Sequence, residues 1–206
     1  MALLINIPNR KLDGLIERLT KSIYSSEIHI YSDGSNPESS NPEIEFALVW
    51  KHPHGSLTGF KNLKAISSFG AGVDSILSDP DLPNVPIARI VDPSLADDMA
   101  KFLVTTVYQH KLRLEQFRQQ QTKAIWKPKS KRKGIQVGIL GLGQLGQNAA
   151  ELFNSFGFQV SGWSKSAKQI TNVNCYSGEQ GLTEVVQSSD YLICLLPLTP
   201  ETKGIL

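Results

Sequence analysis

Ile135-Gln-Val-Gly-Ile-Leu-Gly-Leu-Gly-Gln-Leu-Gly146 joins an apolar run to closely spaced glycines, and its reading decides the fold. Ile135, Val137, Ile139 and Leu140 form the near-continuous hydrophobic stretch of a strand covered on both faces. Gly141 permits a tight turn, Gly143 lets the backbone approach a pyrophosphate, and Gly146 lets the next helix pack closely on the strand. Beyond it, Ala149, Ala150, Leu152, Phe153 and Phe156 recur at helical spacing until Gly157, which reads as a helix stop. Strand, glycine turn and helix N-terminus together predict a cofactor phosphate site over Gly141, Leu142, Gly143, Gln144, Leu145 and Gly146. Spacing alone also fits an ordinary strand-turn-helix of a doubly wound sheet.

Working outward, Phe158–Trp163 reads as the second strand of that sheet and Tyr191–Leu196 as a later one. An NAD-binding fold usually carries an acidic residue about 20 residues past the glycines, where it accepts from the ribose hydroxyls. Here the strand ends in Trp163-Ser164-Lys165-Ser166. A carboxylate would repel a 2′-phosphate, whereas Ser164, Lys165 and Ser166 offer donors to one, so NADP(H) is favoured over NAD(H). A polar strand-end turn with an incidental lysine is the plainer alternative.

With 206 residues, 40% of them hydrophobic, the chain has room for two lobes. Its 21 basic and 19 acidic residues leave a formal charge of +2, too even to predict a nucleic-acid or membrane partner. Cys175 and Cys194 form no CxxC motif, and Cys194, inside an apolar run, is expected as a small buried hydrophobe in a reducing cytoplasm. No stretch approaches the ~18 apolar residues of a membrane span, and the start, Met1–Pro8, lacks a basic leader. Lys127–Lys133 is read as a solvated basic loop without assigned function.

The first half alternates strand and helix patterns. Strands are predicted at Ala2–Ile7, Glu27–Tyr31, Phe46–Trp50, Lys64–Phe69 and Ile87–Val91, with Leu12, Leu15, Ile16 and Leu19 on one helix face and Ser32–Pro42 as a loop. From Asp97 to about Gln120, Met99, Phe102, Leu103, Thr106, Val107, His110, Leu114 and Phe117 predict one long helix. The expected architecture is α/β: a flavodoxin-like substrate lobe over residues 1–94, then the first half of a Rossmann dinucleotide-binding domain over 95–206. Phe69-Gly-Ala-Gly-Val-Asp74 follows a strand and opens a short helical piece, so the amides of Ala71 and Gly72 are placed to cradle a carboxylate. A simple glycine-rich turn fits these residues equally well.

Read together, Ala47-Leu-Val-Trp50, Gly70-Ala-Gly-Val-Asp-Ser-Ile-Leu77, the long helix, the glycine motif, Trp163-Ser-Lys165 and Leu195-Leu-Pro-Leu-Thr-Pro-Glu-Thr202 run in the order of a known family. Along its whole length the chain resembles the D-isomer-specific 2-hydroxyacid dehydrogenases, most closely their glyoxylate/hydroxypyruvate reductase A branch. The resemblance implies NAD(P)H-dependent reduction of a small 2-oxoacid, glyoxylate or hydroxypyruvate. It also implies that Ala71 and Gly72 hold the substrate carboxylate and that Trp50 walls the pocket. Residues 141–146 would hold the pyrophosphate, Ser164–Ser166 the adenosine ribose, and Leu196, Pro197 and Thr202 a turn along the cofactor. Lys101 stands where relatives commonly carry Glu. A homodimer through helix 97–120 is implied as well.

In the family an Arg polarises the substrate, and a His donates the proton beside a Glu. All three lie beyond the turn ending at Thr202, so no catalytic residue is expected within residues 1–206, and a C-terminally truncated, inactive chain is the expectation. The alternative is a non-catalytic nucleotide-binding remnant or dimer partner. His29 and His110 fall in a strand and a helix, and His52 and His54 flank Pro53 without a further Cys or His to complete a metal set, so no metal site is expected.

Overall fold

A computed structural model describes residues 2–22, 27–31 and 42–206 of this chain. They form two compact units, one of residues 2–91 with 197–206 and one of residues 92–196. The polar stretch read as a loop, Ser32–Pro42, lies outside the described residues except for Pro42.

The first unit runs β1 (Ala2–Asn6), α1 (Asp13–Ser22), β2 (Glu27–Tyr31), β3 (Ile44–Val49), β4 (Ala65–Ser68), α2 (Asp74–Leu77) and β5 (Ile87–Ala88). All pairings are parallel, as the strand-helix alternation predicts, and the order is β2-β1-β3-β4-β5, the flavodoxin-like winding expected of this lobe. Both sheet faces are covered, which is why β1 is apolar almost throughout. Leu4 packs with Ala47, Val49, Leu57, Ile66 and Ile76 on one face. Ile5, Ile7 and Leu12 gather Leu15, Ile16 and Leu19 of α1 on the other. Each such fully buried aliphatic side chain contributes about 1.5–3 kcal/mol. The winding direction reverses between β1 and β3. In open parallel sheets the crevice at the carboxyl ends of two such strands is where ligands bind.

The second unit runs α3 (Pro93–Lys111), α4 (Leu114–Thr122), β6 (Gln136–Leu140), α5 (Gln144–Ser155), β7 (Gln159–Trp163), β8 (Val173–Tyr176), α6 (Gly178–Ser188) and β9 (Tyr191–Cys194). Its parallel order β8-β7-β6-β9 is that of the first four strands of a Rossmann sheet, with the reversal between β6 and β9. Val137, Ile139 and Leu142 share their core with Ala149, Ala150 and Phe153 of α5 and with Ala100, Val104 and Val107 of α3.

Three expectations need correction. The single helix over 97–120 is two helices, because Arg113 adopts a left-handed φ of 60° between α3 and α4. Its buried face is also displaced: Ala96, Ala100, Val104, Val107 and Lys111 face the core, while Phe102 is 65% exposed. Small side chains let α3 approach Ala149 and Ala150 of α5, and that contact selects the face over the larger residues. Cys194 is exposed, because β9 is the outermost strand of the described sheet.

The boundary between the units falls at Val91/Asp92. There Asp92 accepts from the Ser94 N–H at 2.9 Å and Pro93 occupies the first turn, so α3 starts cleanly. Among the described residues no helix is long and apolar enough to cross a membrane.

Candidate functional site

Each unit builds an amide-lined loop at the carboxyl end of one of its strands, after β6 at the winding reversal of the second unit and after β4, the neighbour of β3, in the first. In the second unit β6 delivers the chain to Gly141, whose φ of +105° is one that L side chains rarely adopt. A Cβ there would also lie 3.0 Å from the Leu195 carbonyl carbon and 3.2 Å from the Leu196 nitrogen, so the turn runs hard against the residues that follow β9. At Gly146 a Cβ would meet the Gly141 carbonyl oxygen at 2.0 Å, and α5 can pack against the turn only through glycine. Gly143 differs, because nothing lies within 4 Å of its missing Cβ. Space is therefore left open in front of the Gly143 backbone.

The Leu142 carbonyl is held by two donors, Lys168 Nζ at 2.7 Å and Gln147 Nε2 at 3.1 Å. A trans peptide points its N–H opposite to its C=O, so the Gly143 N–H is turned away from both. Among the described residues no protein acceptor takes the N–H of Leu142, Gly143 or Gln144. These amides, at the N-terminus of the twelve-residue α5, are free to donate, an arrangement chemically suited to an anion. Lys168 and Gln147 were missed in the sequence. A basic residue shortly after the Ser166 turn was the only signal, and it gave no hint of contact with residue 142.

At the end of β7, Trp163 Nε1 donates to the Gly178 carbonyl at 2.8 Å and the Ser164 N–H to the Tyr176 carbonyl at 3.1 Å. Ser164 Oγ donates to the Ser166 carbonyl at 2.8 Å, so this hydroxyl closes the turn. Lys165 and Ser166 are exposed beside it. Leu196 is half-buried against the glycine turn. Thr202 Oγ1 donates to the Pro197 carbonyl and accepts from the Thr199 N–H at 2.8 Å, so Thr202 shapes the turn that begins at Pro197.

The first unit repeats this logic at Gly70–Gly72. Ser68 Oγ accepts from the Gly70 N–H at 3.2 Å and donates to the Gly72 carbonyl at 2.7 Å. The Gly70 carbonyl accepts from the Ile90 N–H at 3.3 Å and the Ala71 carbonyl from Arg89 Nη1 at 3.5 Å. With the carbonyls engaged, no described acceptor takes the N–H of Ala71 or Gly72. Trp50 leaves β3 beside this loop, its N–H donating to the Asn6 carbonyl at 3.1 Å. A Cβ on Gly70 would meet the Trp50 ring at 2.4 Å, so the indole lies close against the loop backbone.

Below Trp50, His52 and Asp79 form a fully buried pair at 3.2 Å. Asp79 also accepts from the Gly55 N–H at 3.0 Å and from the Asp81 N–H at 3.0 Å, gathering the segment after β3 around one carboxylate. Burial holds the His52 imidazole below its ordinary pKa, although Asp79 pulls the other way. Neutral His52 then donates Nε2–H to Asp79, and its buried Nδ1 has no partner among the described residues. Asp74 Oδ1 is likewise buried and unpartnered. His54 Nε2 lies 3.4 Å from Ser78 Oγ, and His110 packs edge-on to Tyr191. Lys101 makes a local helix pair with Asp97 at 2.6 Å. Among the described residues no three His, Cys, Asp or Glu side chains gather as a metal set.

Residues 104–206 match the model of the D-isomer specific 2-hydroxyacid dehydrogenase NAD binding domain. The chain belongs to the D-isomer specific 2-hydroxyacid dehydrogenase family. Over 170 residues it is 36% identical to glyoxylate/hydroxypyruvate reductase A of Yersinia enterocolitica, spanning 79% of this chain and 54% of that protein. Among solved structures, a D-isomer specific 2-hydroxyacid dehydrogenase of Xanthobacter autotrophicus in complex with NADPH and MES is 35% identical, with a TM-score of 0.86 over 98% of this chain and 65% of the other. The NADPH-dependent glyoxylate/hydroxypyruvate reductase of Sinorhizobium meliloti, in complex with NADP and sulfate, is 32% identical with a TM-score of 0.83, covering all of this chain and 65% of that one. Family membership makes the second unit an NAD-binding domain, the fold its glycine turn predicts.

Proposed function

We propose that this chain is the oxoacid-binding and cofactor-binding part of an NADPH-dependent reductase that converts glyoxylate or hydroxypyruvate to the 2-hydroxyacid. One observation carries the reading: the glycine turn after β6 and the Gly70–Gly72 loop after β4 have their carbonyls engaged, while the N–H groups of Leu142, Gly143, Gln144, Ala71 and Gly72 meet no acceptor among the described residues. Such a loop suits an anion, a pyrophosphate at Leu142–Gln144 and a carboxylate at Ala71–Gly72. The open space at Gly143 fits the group that must approach there. When bound, the nicotinamide supplies the hydride. Residues of this chain orient the two reactants: Gly141, Leu142, Gly143, Gln144, Leu145 and Gly146 fix the diphosphate, Leu196, Pro197 and Thr202 shape the turn alongside, and Ala71, Gly72 and Trp50 seat the oxoacid.

Lys165 and Ser166, exposed at a strand end that lacks a carboxylate, favour NADP(H) over NAD(H), and Ser164 fixes their turn. The related structures bound to NADPH and NADP support the same preference. An apolar groove along α4 and its exit, lined by Phe117, Ala124, Ile125 and Trp126, offers a face for a second copy of the chain. Two free cysteines suit a cytoplasmic setting.

The test is fluorescence titration of the chain with NADPH and NADH. NADPH is expected to bind more tightly, and Lys165→Glu to remove the preference by placing a carboxylate beside the 2′-phosphate. Equal affinities in the unaltered chain would refute the NADP(H) preference, and absence of binding by either would refute the cofactor site.

A further inference from the structure

The crevice between the carboxyl ends of β1 and β3 holds a cation that the reading above leaves without a task. Strand β1 passes into a turn in which Asn9 has a left-handed φ of 61°, and Arg10 follows. The Arg10 guanidinium carbon lies 6.0 Å from the centre of the Trp50 ring and 5.8 Å from that of Phe69. Trp50 in turn lies against Gly70, and Phe69 leads directly into the amide loop. Arg10 and Trp50 thus stand at the winding reversal where a ligand is expected, and Gly70–Gly72 follow the neighbouring β4 at the same end of the sheet.

Two arginines flank the loop, and they are used differently. Arg89 donates to the Ala71 carbonyl and so serves the loop itself. Arg10 is exposed, and among the described residues it makes no hydrogen bond or ion pair, only the two ring contacts. At these cation–π distances the guanidinium keeps its N–H donors free for a planar bidentate acceptor.

We propose that Arg10 is a specificity-determining residue able to receive a second carboxylate, so that beside glyoxylate and hydroxypyruvate the site also admits 2-oxo and 2-hydroxy dicarboxylic acids, which gain from Arg10 an affinity that a counterpart with a methyl group in place of the second carboxylate lacks. This rests on the reading of Ala71 and Gly72 as the amides that hold the first carboxylate. The first carboxylate is fixed by backbone common to all substrates, and the second meets a side chain, which is where discrimination arises.

The test compares D-lactate with D-malate, which share the 2-hydroxyacid head and differ by one carboxylate, as ligands of the isotope-labelled 206-residue chain followed by NMR. Both are expected to shift the Ala71 and Gly72 amide signals, and only D-malate the Arg10 Nε–H signal. D-Malate should bind about fivefold more tightly, the scale of one partly exposed charge pair. Arg10→Met keeps the stem on the rings and should bring D-malate to the D-lactate affinity, and Arg10→Lys should restore part of the difference. An unchanged D-malate to D-lactate ratio in Arg10→Met, with the amide shifts intact, overturns the role of Arg10 and leaves the loop reading standing. Failure of both ligands to shift Ala71 and Gly72 overturns the loop reading, and the role of Arg10 with it. Should Arg10→Met lose the native spectrum, the unaltered chain decides: the ratio must shrink toward one as salt is raised, and a salt-independent ratio overturns the proposal.

Discussion

Gly143→Ala and Gly146→Ala separate the two tasks assigned to the glycine turn. At Gly143 the backbone sits at φ −75°, ψ −164°, an extended conformation that alanine adopts freely, and its Cβ would meet nothing within 4 Å. The methyl group is therefore accommodated, and lost freedom in the unfolded chain makes the variant as stable as the parent or more so, by about 0.4–1 kcal/mol. In the complex the same methyl stands where the diphosphate must approach the amides. Losing one or two charge-assisted hydrogen bonds, each about 1.5–3 kcal/mol, weakens NADPH binding by at least about tenfold. Gly146→Ala acts the other way round. Its Cβ would lie 2.0 Å from the Gly141 carbonyl oxygen, a backbone atom, so α5 or the turn must move. Overpacking of this kind costs about 1–3 kcal/mol, and a rigid backbone neighbour places it at the upper end. Urea unfolding followed by circular dichroism measures the first quantity, and NADPH fluorescence titration the second. Parental NADPH affinity in Gly143→Ala would refute the cradle, and parental stability in Gly146→Ala would refute the close packing of helix on turn.

Asp79→Ala removes the acceptor shared by His52, Gly55 and Asp81 and should cost about 3 kcal/mol in urea unfolding, with Asp79→Asn costing less; a loss within experimental error would contradict the burial of that cluster. His52 has its pKa lowered by burial, so the unfolded chain takes up the proton first: its contribution to stability is complete above the unfolded value of about 6.5 and is lost as pH falls through the lower folded value. Unfolding midpoints measured from pH 8 to pH 5 should fall, and fall less in His52→Gln. Gly70→Ala drives a methyl into the Trp50 ring and should shift tryptophan emission and weaken binding of glycolate, read by titration; unchanged emission would show that the indole does not rest on the loop. Lys168→Met frees the Leu142 carbonyl and should weaken NADPH and NADH binding by the same factor, whereas loss confined to NADPH would assign Lys168 to the 2′-phosphate instead.

Much of the fold was legible because local pattern and global topology agree. Apolar runs bounded by turns gave eight of the nine strands among the described residues, since parallel strands covered on both faces leave a hydrophobic signature. The omitted strand, β8 at Val173-Asn-Cys-Tyr176, is short, mixed in polarity and paired on one side only, so it lacks that signature. The phase of α3 was misread for a related reason. Periodicity identifies a helix, but the larger Phe102 and the smaller Ala100 compete for the same inward direction, and only the partner helix decides between them.

By itself the sequence determined the α/β class, the order of the elements and the positions of both glycine turns, because glycine spacing and hydrophobic period are local properties of the chain. Tertiary structure decided what those loops can do. The donors that hold the loop carbonyls, Lys168 for Leu142 and Arg89 for Ala71, stand 26 and 18 residues away, and the buried His52–Asp79 pair spans 27. Contacts at such separations are set by how strands align and helices pack, and no local propensity carries them. The same holds for Arg10, whose position over Trp50 and Phe69 exists only because β1 lies between β2 and β3 in the folded sheet.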